Sequence, residues 1–452
     1  MSAYYRTAPH ALSYAIHNNV LRFHQTRVLL NVMGLFSHTD NTDTGPGPNL
    51  LASKQVIITG LSGNELYCTA LCGYTPGNIL VGNSVYSLGA LGNIAANVHS
   101  GIGGEIPQYS NMISEGRRLA LEHFEEEMQQ SGAVGATGLT NDIIFHPENI
   151  EFLSVGTSLH RQTNGQDAGV MTSSTNGQEL FCQMDAGFQP FRLAFGNVAY
   201  SIGMGGNLLG SLRQMGHGEV PEYSNIFETT RNLAIQRISK HASDFNADCV
   251  TNIRTTVLPI GNKGIQEMIM VGTASYHPSL SQLAQQLGTP VTSGLTAQEL
   301  WSIAKMGYTP VRLVIGTSVY SLGVLGGIKA ALRGIAKGQV NTLTEMVYGA
   351  REQSLKKIQD QASAVGAEMV MGVKTYIYQL GANLVEFFAI GTAVTRIDGI
   401  APRSEQLPAQ AIINDNDTFV DHTQQTIHLG SHDQQNSAAS QQVPTGQSNT
   451  TV

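Results

Sequence analysis

Three times along this chain, apolar and polar positions run through the same schedule. Short apolar, β-branched runs between turn residues, Ile79 to Tyr86, Arg192 to Tyr200 and Val311 to Tyr320, predict strands. A glycine-rich crossing follows each, and then the period lengthens. Ile113, Arg117, Leu121, Phe124 and Met128 share one stripe by steps of four, four, three and four, which predicts a long amphipathic helix with Arg117 on its packed face. That helix begins near Tyr109, Tyr223 and Leu343. Pro107 and Pro221 stand just ahead of the first two, as helix starts favour. It stops at Gly132, Asn246 and Gly366, residue types suited to a left-handed cap. Further strands open at Ala133-Val134-Gly135-Ala136, Ala247-Asp248-Cys249-Val250 and Ala367-Glu368-Met369-Val370. The expected order in each unit is strand, strand, crossing, long helix, strand, strand.

The schedule carries recurring words. Gly82-Asn83-Ser84-Val85-Tyr86-Ser87-Leu88-Gly89 returns as Gly196-Asn197-Val198-Ala199-Tyr200-Ser201-Ile202-Gly203 and as Gly316-Thr317-Ser318-Val319-Tyr320-Ser321-Leu322-Gly323. Upstream stand Glu65-Leu66-Tyr67, Glu179-Leu180-Phe181 and Glu299-Leu300-Trp301; downstream each unit closes on Val155-Gly156-Thr157, Val271-Gly272-Thr273 or Ile390-Gly391-Thr392. A period of roughly 115 to 120 residues is far too long for a solenoid, so each copy reads as a small domain. Residues 1–54, with an amphipathic stretch from Leu12 to Phe36 and a Gly/Pro linker at 42–48, stand outside the repeat. Polar joints fall near Arg161 to Ala168 and Pro278 to Pro290. Residues 398–452 are polar and acidic, the composition of a disordered tail.

Composition narrows the function classes. At 452 residues, 41% hydrophobic and 13% charged, the chain can fill three small cores, and its low charge suggests extensive buried surface. A net charge of −8 without a basic cluster argues against nucleic-acid binding. Four cysteines, Cys68, Cys72, Cys182 and Cys249, make no disulfide framework, and the N-terminus lacks a secretory pattern, so a cytoplasmic protein is expected. The most membrane-like window, Leu313 to Leu332, is broken by Gly316, Gly323, Gly326, Gly327 and Lys329, so no membrane span is expected.

The order of words, with a Gly-Tyr-Thr-Pro-Gly turn at Gly73 to Gly77, the glycine-to-tyrosine strand end, a tyrosine-led helix bearing an arginine, the Gly-Ala cap and the closing Gly-Thr, resembles the YbjQ-like family. The resemblance covers residues 55–160, 169–277 and 290–397. It implies an α+β fold, three tandem domains each of one long helix on an antiparallel sheet, oligomerising in rings of five through exchanged strands. It also brings a heavy-metal-binding label. Three domains per chain do not divide a ring of five, so five chains forming three stacked rings, each joining like copies, is the expected homo-oligomer.

Triplication tests each candidate chemistry. Cys68 and Cys72 could offer two thiolates to a soft divalent metal ion, but the matching positions are Cys182 and Ala186, then Ser302 and Met306. His99, His123, His146, His217, His241 and His277 all fall where the sister copies carry other residues. No Ser, His and Asp set recurs, and Gly89-Ala90-Leu91-Gly92 lacks a nucleotide-binding spacing, so no enzyme is expected. What recurs is Arg117, Arg231 and Arg351, with Glu65, Glu179 and Glu299 upstream, and a guanidinium on a packed face needs a carboxylate. These six are expected to form structural ion pairs, with anion binding as the other use of the arginines. The expected function is a homo-oligomeric assembly protein; the alternative is a heavy-metal or small-anion binder. The partners of both termini stay open.

Overall fold

The computed structural model describes residues 56–87, 103–146, 148–161, 171–201, 218–260, 265–321, 341–381 and 384–408. The stretch from Leu12 to Phe36, the 42–48 linker and the tail beyond residue 408 lie outside the described residues. Seven helices and 13 strands are found among those described.

The first copy contains α1 (Gly63–Leu71), β1 (Tyr74–Ser87), β2 (Gly104–Glu105), α2 (Pro107–Gln130), β3 (Gly135–Phe145) and β4 (Asn149–Arg161). The second contains β5 (Met171–Thr172), α3 (Gly177–Asp185), β6 (Gln189–Ser201), β7 (Gly218–Glu219), α4 (Pro221–Asp244), β8 (Cys249–Ile260) and β9 (Ile265–Tyr276). Helix α5 (Ser281–Leu287) occupies the joint expected to be irregular and ends at Gly288, φ 67°. The third copy runs β10 (Val291–Thr292), α6 (Ala297–Lys305), β11 (Tyr308–Ser321), α7 (Asn341–Ala364), β12 (Met369–Gly381) and β13 (Leu384–Arg396). The α+β class holds, but each copy opens with a short helix where a strand was expected.

That helix follows from its cap. Ser62, Asn176 and Thr296 are the N-cap residues; each side chain accepts from the backbone N–H of the glutamate three residues on, whose carboxylate takes the N-cap N–H in return. The return bonds measure 2.7 Å to Glu65, 3.0 Å to Glu179 and 2.8 Å to Glu299.

Helix α2, α4 or α7 crosses the first long strand of its own copy so closely that the strand tolerates only glycine there. A Cβ at Gly82 would overlap the α2 backbone at Ala120 and Phe124; at Gly196 it would meet Ala234 and Ile238, and at Gly316 it would meet Ser354. This is why glycine opens the most conserved word of the repeat. The helices end as expected, with left-handed φ of 71°, 54° and 68° at Gly132, Asn246 and Gly366.

The sheets run in the orders β1-β4-β3-β5, β10-β8-β9-β6-β2 and β12-β13-β11-β7. Each therefore contains strand from another copy. Gly104 and Glu105 pair with Ser201 and Tyr200 of the second copy, and Gly218 and Glu219 pair with Ser321 and Tyr320 of the third. In return Met171 and Thr172 lie parallel to Gly135 and Ala136, and Val291 and Thr292 to Cys249 and Val250. The middle sheet receives a borrowed strand on both edges. Apolar cores cross the same boundaries: Tyr200 and Phe227 of the second copy pack in one cluster with Ile315, Val319 and Phe388 of the third.

The polar tail begins later than expected. Ile400 is buried, the Arg403 N–H donates to Asp185 O at 2.9 Å, and Ser404 donates to the Asp185 carboxylate through Oγ at 2.8 Å. Asp185 also accepts the Trp301 indole N–H at 2.7 Å.

Candidate functional site

The junction between consecutive copies is built twice from equivalent residues. The stripe predicted on the long helix places Arg117 and Arg231 inward, 1% and 0% exposed, but neither pairs with the expected glutamate. Arg117 Nη2 donates to Glu267 Oε2 at 3.0 Å and Nε to Oε1 at 3.3 Å, while Nη1 donates to Asn141 Oδ1 at 2.9 Å. Arg231 Nη2 donates to Glu386 Oε2 at 2.8 Å. The upstream acids Glu65, Glu179 and Glu299 are consumed by their helix caps, and Glu179 additionally accepts from Asn252 at 3.1 Å and Arg254 at 2.8 Å. The structural ion pairs therefore run from the long helix of one copy to the last long strand of the next.

Their partners were visible in the repeat. Glu151, Glu267 and Glu386 each stand four residues ahead of the closing Val-Gly-Thr or Ile-Gly-Thr, and all three copies keep them. Arg351 is exposed and makes no ion pair among the described residues.

The two pairs are insulated differently. Arg117 has two side-chain acceptors, whereas Arg231 is enclosed by rings, its Cζ 4.1 Å from the centroid of Phe388, 5.5 Å from Tyr378 and 5.7 Å from Phe227. Burial pushes the Glu386 carboxyl up, and the Arg231 guanidinium opposes that shift without cancelling it. Around them the backbones interlock: Ile106 N–H donates to Ala199 O at 2.8 Å, and Val220 N–H to Val319 O at 2.7 Å. Half-buried ion pairs rim the junctions, Arg192–Glu125 at 2.6 Å and Arg237–Glu105 at 2.6 Å at the first, and Lys357–Glu228 at 2.7 Å at the second.

The expected stack of like-on-like rings is not this arrangement. It reserves the lateral surfaces for like copies of neighbouring chains, yet here the first copy takes the second and the second takes the third. The residues that follow the two joints, Met171 with Thr172 and Val291 with Thr292, are paired in the sheet of the preceding copy, which sets consecutive copies side by side.

His241 stands where the other copies use a different polar side chain for the same backbone contact, and His99 and His217 lie outside the described residues. The Val81, Phe195 and Ile315 N–H groups donate in turn to Glu127 at 2.7 Å, His241 Nδ1 at 3.2 Å and Gln361 at 3.2 Å. Burial holds His241 and His277 below the usual imidazole range.

Cys68 and Cys72 lie one turn apart at the end of α1, which packs on α3 so tightly that a Cβ at Gly177 would sit 2.7 Å from Glu65 O. Burial pushes the Cys72 and Cys182 thiols up to about 12, with Cys68 and then Asp185 adding to the first and Cys68, Glu179, Asp185 and Cys72 to the second, and burial also raises Cys68, so all stay protonated at neutral pH. Among the described residues no group of three His, Cys, Asp or Glu side chains is placed to hold a metal ion. No helix among them is long and apolar enough to cross a membrane.

Residues 75–158, 188–277 and 303–396 match one family model, described as "Putative heavy-metal-binding". An encapsulin nanocompartment protein of Mycobacterium tuberculosis is 30% identical over 230 residues, 50% of this chain and 86% of that protein. A UPF0145 protein of Sulfurisphaera tokodaii is 38% identical over 102 residues, 22% of this chain and 85% of the relative. One from Thermoplasma acidophilum is 32% identical over 98 residues, again 22% of this chain and 82% of the relative.

Proposed function

This chain belongs to the YbjQ-like family, three of whose domains it carries in tandem, and we propose that it is a cytoplasmic, homo-oligomeric assembly protein without a catalytic centre. One observation carries the proposal. Recurring residues serve cores and caps, and at the two boundaries between copies a buried Arg–Glu pair holds copy to copy. Breaking such a pair is strongly unfavourable, whereas a buried pair adds little over apolar packing, so its use is to specify which surfaces meet and in what register. The name of the M. tuberculosis relative, an encapsulin nanocompartment protein, supports an assembly role.

The test is the mass of the reduced protein in solution by light scattering and native mass spectrometry across a range of concentrations. A species of several chains is the expected result. A single chain at every concentration overturns the proposal. A second reading, a soft-metal binder at Cys68 and Cys72, rests on the two thiols lying one turn apart at the end of α1.

A further inference from the structure

We infer, resting on the assembly reading above, that the outer faces of the third and first copies are the two halves of a third junction, which a second copy of this chain completes head to tail. Among the described residues, the buried ion pair, the apolar contacts around it and the parallel borrowed strand of the internal junctions each have a counterpart left uncovered in the first or third copy.

On the third copy, Arg351 is exposed at the position where Arg117 and Arg231 are buried. Four residues before it Val347 is 40% exposed, where Ile113 is 1% and Phe227 2%. On the first copy, Glu151 is 22% exposed where Glu267 and Glu386 are sealed at 0%, and it is held meanwhile by Asn83 Nδ2 at 3.1 Å and His146 Nε2 at 2.9 Å. Val85 is 56% exposed where Ala199 and Val319 are 0%.

The borrowed strand repeats the pattern. Five residues ahead of each N-cap stand Ile57, Met171 and Val291. Met171 pairs beside Gly135 and Val291 beside Cys249, whereas Ile57, 40% exposed, lies in no strand, and Ile58, 59% exposed, is held to β1 of its own copy, its O accepting from the Ile79 N–H at 2.9 Å and its N–H donating to Asn78 Oδ1 at 2.9 Å. The vacant register position is Met369 on β12, itself 40% exposed and at a sheet edge. Among the described residues, no exposed large hydrophobic lies in the second copy, the only one flanked on both sides. Exposure thus follows absence of a neighbour, and the neighbour that fits carries the same residues in the same register. The faces are different from one another, so the contact is heterologous and propagates until it closes.

The experiment uses full-length chains with Arg351→Glu or Glu151→Arg, each checked for an unchanged circular dichroism spectrum, with mass read by light scattering. Each variant alone sets like charges together at the new junction and is expected to fall to single chains. Mixed in equal amounts, the two place opposite charges together at every contact, and multi-chain species return. Independently, the Ile57→Cys/Met369→Cys double variant is expected to form disulfide-linked chains on mild oxidation, because paired strand positions lie within disulfide reach. Wild-type oligomers together with unaffected variants and no cross-link overturn this inference while the assembly reading stands. A wild-type chain that remains single at every concentration overturns both.

Discussion

Replacing Arg231 with methionine removes the positive half of a pair in which both side chains are fully buried. The carboxylate of Glu386 is then left without a counter-charge among Phe227, Tyr378 and Phe388. Breaking a buried pair from one side costs on the order of 3 to 5 kcal/mol. Methionine preserves most of the volume, so little of that loss is a cavity effect. With urea m values of about 1 to 3 kcal/mol/M, the midpoint for the second and third copies falls by about 1 M or more. The double variant Arg231→Met/Glu386→Leu removes both charges, and such replacements are often neutral or better, so its midpoint returns close to wild type. Urea titration at fixed protein concentration, followed by hydrogen exchange across β11 and β13, reads both. A single variant that loses less than about 1 kcal/mol, or a double variant as weak as the single, refutes the reasoning that an uncompensated charge is the dominant effect.

Gly196→Ala puts a methyl group into the α4 backbone at Ala234 and Ile238, and overpacking of this kind costs about 1 to 3 kcal/mol or more; thermal unfolding checks it, and an unchanged midpoint counts against the close crossing. Asp185→Ala removes the acceptor for Trp301 and Ser404, so trypsin should cut after Arg403 faster than in wild type. His241 and His277 have folded-state pKa values below their unfolded values of about 6.5, so the stability from their neutral forms is complete above that pH and lost as pH falls through the folded values; thermal scans from pH 7.5 to 5 should show a falling midpoint, flattened by His277→Gln. If a soft metal binds, it does so through the first copy at no more than one ion per chain and is lost in Cys68→Ser/Cys72→Ser, as elemental analysis of the reduced protein measures; three ions per chain would refute this.

The long helices and their ends were legible because their signals are local: Pro107, Pro221, Gly132, Asn246 and Gly366 each act on the turn in which they stand. The three copies were legible because like words recur in order. Ser62 and Glu65 stand at the spacing of a capping box, so the opening helix has a local signal too, but pairing Glu65 with Arg117 claims the same carboxylate and hides it. A packed arginine and a recurrent acid do suggest each other, yet the carboxylate nearest in the word order was already satisfied by its own backbone. Glu267 and Glu386 satisfy the same recurrence test and were overlooked since they sit in another copy. The borrowed strands left no trace in the pattern. Two residues pairing in parallel across a copy boundary have neither periodicity nor turn chemistry to mark them.

Those borrowed strands set an order of events during synthesis. The sheet built from β1, β4 and β3 receives its last strand from Met171 and Thr172, which leave the ribosome after all the rest of it. A nascent chain that has emerged only to Arg161 presents Gly135 and Ala136 as an open edge, a template for any passing strand. A few residues later the chain supplies the cover itself, and the same segment leads straight into the cap of the next copy. The second sheet waits in turn for Val291 and Thr292. The first two copies are thus each finished by the first residues of their successor, a tethered handover whose rate does not depend on concentration, and which single-domain chains could match only by collision.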